Sequence, residues 1–171
     1  MKSHPTKPVF IGKIENYLRS NSNMSKVVYE SMRLANGEMV ENFTKDYLKK
    51  MFKNVIFNDD RGDFYDCDVD GIHVEIRRFT KSDNNYKLRM GNSGNVNNST
   101  KTRKYKVHSL LRGAYIGVRF INKGKTMLFY WIPTISMLKE FKERCYTSSG
   151  ISIKQINEKL GLSIPLWSEN D

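Results

Sequence analysis

The dipeptide Asp70-Gly71 lies between two runs in which apolar and polar residues alternate, 64–69 and 72–77. Asp-Gly in that setting is the strongest short signal for a β-hairpin, because both central residues of a type I′ turn need φ > 0. The turn fixes the register. Val69 faces Ile72, Cys67 faces Val74, and Asp66 faces Glu75. Side chains alternate between the two faces of a strand. One face then carries Tyr65, Cys67, Val69, Ile72, Val74 and Ile76, all fit for a core. The other carries Phe64, Asp66, Asp68, His73, Glu75 and Arg77.

The Asp66/Glu75 pair is unusual, because like charges directly opposite each other destabilise a sheet. Two readings fit. One is a solvated polar face. The other is half of a cation site, since Mg²⁺ is usually held by one or two carboxylates plus the phosphate oxygens of a substrate.

The chain of 171 residues is long enough for one domain with a substantial core. An apolar fraction of 39% with 12% aromatics fits a globular protein. The formal charge of +11 favours a polyanionic partner, with nucleic acid first. Two distant cysteines, Cys67 and Cys145, fit structural thiols in a reducing cytoplasm. The opening residues do not read as a signal segment, and no apolar run reaches membrane-spanning length. His4, His73 and His108 form no paired zinc spacing with the cysteines. Neither a phosphate-cradling glycine loop nor a Ser-His-Asp arrangement is supported by spacing.

Along the chain, Phe10, Ile11, Ile14, Tyr17 and Leu18 recur at helical spacing, and a second helical stretch starts near Ser25. Residues 1–36 therefore read as N-terminal helices. A wide apolar stripe, Met39, Val40, Phe43, Tyr47, Leu48 and Met51, predicts the next helix, with Glu41 at its edge. Residues 55–57 read as a short strand and 58–62 as a turn. Residues 81–103 lose apolar periodicity and are rich in Asn, Gly and cations. That stretch reads as a solvated loop that orders on nucleic acid. Its candidate DNA contacts, extended by one residue to Lys104, are Lys81, Asn84, Asn85, Lys87, Arg89, Asn92, Asn95, Lys101, Arg103 and Lys104, because Asn and Arg hydrogen-bond base edges and phosphates. A short helix is expected at 104–112, strands at 114–120 and 127–132, a helix at 135–146, and a last one at 152–160 ended by Gly161. The chain thus divides into 1–36, a core of 37–146 and a C-terminal helix and tail of 147–171. The fold class is α/β (α+β), a mixed central sheet of about five strands flanked by helices.

Helix with Glu, strand, Asp, hairpin, Glu-x-basic, helix, strand, strand, helix resembles the PD-(D/E)xK nuclease superfamily, which includes many type II restriction endonucleases and several Holliday-junction resolvases. The resemblance covers roughly 37–141. It is carried by Asn36-Gly37-Glu38-Met39-Val40-Glu41 and by the stretch from Asp66 through Glu75-Ile76-Arg77. It implies a restriction-endonuclease-like fold. It also implies a Mg²⁺-dependent DNA endonuclease, with Mn²⁺ as a substitute. Asp66, Glu75 and the main-chain carbonyl of Ile76 would be the metal ligands, and Glu41 the helix glutamate near the site. Asp63 is the alternative to Asp66. Arg77 departs from the family pattern, which usually has Lys there. Arginine does not give up its proton, so water activation would fall mainly to the cation. Arg77 would orient that water or stabilise the phosphate, with His73 as a backup base or a plain surface histidine. The departure leaves three outcomes open: a type II restriction enzyme, a junction resolvase, or an inactive DNA-binding module. A homodimer on a palindromic target would supply two sites.

Overall fold

The computed structural model describes residues 4–15, 37–58, 65–82, 85–91, 99–122 and 124–162. In chain order these form β1 (Val9–Glu15), α1 (Gly37–Met51), β2 (Val55–Phe57), β3 (Cys67–Val69), β4 (Ile72–Arg78), β5 (Thr80–Ser82) and β6 (Asn85–Leu88). There follow α2 (Thr100–Ser109), β7 (Ala114–Ile121), β8 (Thr126–Pro133), α3 (Thr134–Phe141), a 3₁₀ turn at Lys142–Tyr146, β9 (Ile151–Ser152) and α4 (Ile153–Leu160). The main sheet is mixed, six-stranded, in the order β1-β8-β7-β4-β3-β2, and a second sheet has the order β5-β6-β9.

The β3–β4 hairpin has the register read from Asp-Gly: Cys67 faces Val74, Asp68 faces His73, and Val69 faces Ile72. Asp70 and Gly71 have φ of 48° and 86°, as a type I′ turn requires. β4 then pairs with β7 in parallel, Glu75 beside Tyr115. A parallel pair needs a crossover connection, and β5, β6 and α2 provide it. β8, buried along its whole length, lies between β7 and β1.

Two apolar layers cover the sheet. On one face Val74, Ile76, Cys67 and Val69 meet Val40, Leu48 and Phe52 from α1 and its end. On the other, Tyr115, Leu128 and Tyr130 meet Val107 and Leu110 near α2, Met137 of α3 and Ile156 of α4. α4 carries a complete capping box: Ser152 Oγ accepts from Gln155 N, the Gln155 side chain accepts from Ser152 N, and Gly161 closes the helix in the left-handed region. Burial pushes the Cys67 and Cys145 thiols up to about 12, so both are inert, structural groups. Among the described residues no helix is long and apolar enough to cross a membrane.

Three expectations are corrected. Residues 9–15 form an edge strand, not a helix, and this strand takes the main sheet beyond five. The cause is a β-bulge: the register shifts between Phe10 and Gly12. One extra residue turns strand alternation into the spacing Val9, Ile11, Ile14, all on one face, and that spacing imitates a helix. Residues 16–36, the remainder of the predicted N-terminal helices, lie outside the described residues. Second, the stretch 81–103 is not a structureless loop: it contains most of the β5–β6 hairpin and the first turn of α2, whose N-cap Ser99 accepts from Thr102 N. α2 thus spans 100–109 rather than 104–112. Third, Tyr65 does not join the Cys67 face. It stacks on His73, ring centroids 3.9 Å apart, because strand alternation begins only at Cys67.

Gly12 is the residue on which the bulge depends. Its φ is +144°, and a Cβ there would lie 1.6 Å from Tyr47 Oη, the hydroxyl that donates to Ile11 O at 3.0 Å. Gly12→Ala is therefore expected to lower stability by about 2 kcal/mol or more, whereas Tyr47→Phe loses one hydrogen bond, about 1 kcal/mol. Denaturant titration of the two variants checks the order; equal losses would mean that the bulge is not strained by a side chain.

Candidate active site

Alternation along β4 sends Val74 and Ile76 into the α1 layer and Glu75 to the other face, where α2 lies. His73, nearer the turn, stays exposed, but Glu75 is only 8% exposed, so the polar side of the hairpin is covered at that position. What makes this tolerable is a cation from another element. Lys106, in the last turn of α2 and also buried, donates to Glu75 Oε2 at 2.9 Å. Arg77 Nε lies 3.5 Å from Glu75 Oε1. That distance is within Coulombic reach, but the alignment does not make a hydrogen bond, and Arg77 Nε has no such partner. The Lys106 contact is the stronger of the two.

Asp66 enters beside them. Its Oδ2 accepts from Ile76 N at 2.7 Å, and its own N–H donates to Val74 O at 2.9 Å. Burial pushes the Asp66 carboxyl up to about 7, with the neighbouring Glu75 charge adding to the rise and the Ile76 hydrogen bond opposing it. Glu41 adds a smaller push in the same direction, which places this α1 residue within electrostatic reach. Glu41 is itself bound by Lys45 at 2.7 Å, one helical turn on. Asp66, Glu75, Arg77 and Glu41 are thus gathered around one end of the hairpin.

Two mutually repelling carboxylates are suited to a hard divalent cation. Among the described residues no group of three or more His, Cys, Asp or Glu side chains could hold an ion, so a shell here would need further oxygens, from a main-chain carbonyl such as that of Ile76 and from a substrate. The donor set fits a site of that kind. Asp63, the alternative ligand, lies outside the described residues.

His73 is more than a plain surface residue. Its ring stacks on Tyr65 and its Nε2 lies 3.4 Å from Asp68 Oδ1. The expected DNA contacts separate into two sets. Arg89 Nε donates to Ser148 O at 2.8 Å and Arg103 Nε to Tyr146 O at 2.5 Å, so both tie the 3₁₀ turn and the residues after it to the crossover. Lys81, Asn85, Lys101 and Lys104 are exposed and Lys87 is half-buried. Asn84, Asn92 and Asn95 lie outside the described residues.

Lys106 escaped the sequence reading. The available signal was its place beside Val107 on the side of α2 that Val107 and Leu110 mark as buried, where a lysine needs a carboxylate. Comparison of the chain with known protein families and with curated proteins, and of the fold with solved structures, finds no match.

Two stability outcomes follow. Asp66 has its folded value raised above the unfolded one, so its contribution is present at low pH and is lost as pH rises from about 4 towards about 7. Asp66→Asn is expected to raise the melting temperature at pH 8, by about 2–4 °C for each kcal/mol relieved, and to change little at pH 4. Lys106→Met strands a buried carboxylate, which costs about 3–5 kcal/mol. Adding Glu75→Gln should recover most of that loss. A double mutant no more stable than Lys106→Met would show that the pair is not what holds α2 down.

Proposed function

We propose that this chain is a Mg²⁺-dependent endodeoxyribonuclease of the restriction-endonuclease-like fold, with a type II restriction enzyme as the preferred form and a Holliday-junction resolvase as its alternative. The observation that carries the reading is Asp66 held beside the buried Glu75, with cations on both sides of Glu75, in a chain of net charge +11. The order α1, hairpin, crossover helix, β7, β8 supports it, as does the parallel β4/β7 pair within a mixed sheet. The two free, buried thiols fit a reducing cytoplasm.

Asp66, Glu75 and the Ile76 carbonyl would hold Mg²⁺, or Mn²⁺ in its place, which when bound supplies charge neutralisation and lowers the pKa of water. The chain's own groups supply the rest. Arg77 keeps a fixed positive charge next to Glu75, suited to stabilising negative charge that develops on a phosphate. Lys106 donates to the other oxygen of Glu75 and holds that carboxylate in place. His73, oriented by Asp68 and Tyr65, stands two residues away on the same face of β4. The exposed lysines provide non-specific phosphate contacts, each neutralised phosphate adding about 0.9 to the log–log salt slope. A two-fold homodimer would bring one site to each strand of a palindromic duplex.

The test is plasmid cleavage. Supercoiled DNA should be nicked and linearised with Mg²⁺ and left intact with EDTA. Asp66→Asn should abolish the reaction. Arg77→Ala should slow it by about 10²-fold while DNA still binds. Discrete bands from a long duplex would distinguish restriction from junction resolution, and sedimentation of the complex should show two chains per duplex. Arg77 in the lysine position favours a second reading, a DNA-binding module without activity. DNA binding with no Mg²⁺-dependent cleavage would select that reading instead.

A further inference from the structure

A cleft of about 410 Å³ opens between the tip of the β3–β4 hairpin and the C-terminal end of α2, lined by Gly71, His73, His108, Ser109, Arg112 and Gly113 among others. Its volume falls in the range of sites that take a small ligand or one unit of a larger one. Three features give it a chemistry. Among the described residues no Asp or Glu lines it, whereas two imidazoles and a guanidinium do. Both rings are held from behind: His73 by the Tyr65 stack and by Asp68 at 3.4 Å, His108 by the Tyr146 hydroxyl at 2.6 Å. Arg112, exposed at the rim, offers a fork of donors whose geometry matches phosphate oxygens.

The end of a helix that carries partial negative charge is ordinarily a poor place for an anion. Here several of the carbonyls at that end are covered. Val107 O, His108 O and Leu110 O accept from the N–H groups of Leu110, Leu111 and Gly113. Gly113 also packs so tightly on His73 O, 2.1 Å from where a Cβ would stand, that the wall of the cleft is backbone. The cleft is next to the carboxylates as well. His73 precedes Glu75 by two residues on β4, and His108 follows Lys106 by two on α2. Glu75 and Lys106 touch at 2.9 Å.

We infer that this cleft seats a backbone phosphate of a nucleic-acid strand, the neighbour of the phosphate presented to Asp66 and Glu75. Arg112 provides the charge, and His73 and His108 provide hydrogen bonds, while the Ser109 hydroxyl is spent on Lys106 O. The inference rests on the phosphodiester reading of the carboxylate site and gives that site a direction: the strand runs from the carboxylates along β4 towards the hairpin tip.

The test uses deoxythymidine 3′,5′-bisphosphate, without metal, and the imidazole NMR signals. The chain has three histidines, and His4 serves as the control because it does not line the cleft: its ring stacks on Trp131 and its Nε2 lies 3.0 Å from Val69 O. The His73 and His108 signals should move together and saturate while that of His4 stays still. Arg112→Ala, a substitution at an exposed position, should weaken binding by about 10-fold or more, and inorganic phosphate should bind less tightly than the bisphosphate. Unresponsive His73 and His108 signals, a response undiminished in Arg112→Ala, or equal affinity for inorganic phosphate would each overturn the inference. Its failure is separable from that of the hydrolytic reading. Responsive histidines without plasmid cleavage keep the cleft and remove the hydrolysis; cleavage with silent histidines does the opposite.

Discussion

A carboxylate taken out of water must be given a partner, and the placement of α2 answers that demand at Glu75. Isolated burial of the charge would cost far more than the fold's net stability allows. The partner, Lys106, comes from 31 residues further along the chain. Its ammonium ties the last turn of α2 to the middle of β4. With α2 placed, Val107 and Leu110 find their apolar layer. That helix, with β5 and β6, makes the crossover between β4 and β7, and β9 completes the small β5-β6-β9 sheet. Buried ion pairs are weak sources of stability, and here one joins a helix to a strand across the crossover.

The same arrangement concentrates opposite charges at two levels. Three acids, Glu41, Asp66 and Glu75, are drawn together at one end of the hairpin in a chain with an excess of cations. Two of those cations, Lys45 and Lys106, are buried as partners of the acids. Others, such as Lys81, Lys101, Lys104 and Arg112, remain on the exterior. A negative centre inside a positive rim suits a polyanion that must be held at the surface and approached by a cation at one point.

Much of this was legible in the sequence because it is local. Asp-Gly fixed the hairpin register, and period-2 alternation placed Cys67, Val69, Val74 and Ile76 on one face. The stripe from Met39 to Met51 gave α1, and the run 127–132 gave the buried strand β8. Ile156 and Gly161 marked α4. What escaped depends on distant partners. β1 was misread because a bulge gave Val9, Ile11 and Ile14 a helical interval, and only pairing with β8 turns that segment into a strand. The β5–β6 hairpin has little apolar alternation of its own and borrows its pairing from β9, more than sixty residues on. Lys106 looked like one cation among many, since nothing next to it in sequence reveals the carboxylate it meets.

Gly91, at the end of the β5–β6 region, lies directly against the start of α2: a Cβ there would come within 2.5 Å of Arg103 Cβ. The chain leaves this point at Gly91 and returns to it at Ser99, the cap of α2. Gly91 is held by its packing against Arg103, and Ser99 by its place as the cap of α2. Lengthening a connection whose ends are already closed raises the chain-entropy cost only logarithmically. Insertions between two points of the chain that already touch would therefore pass little cost to the helix that carries Lys106.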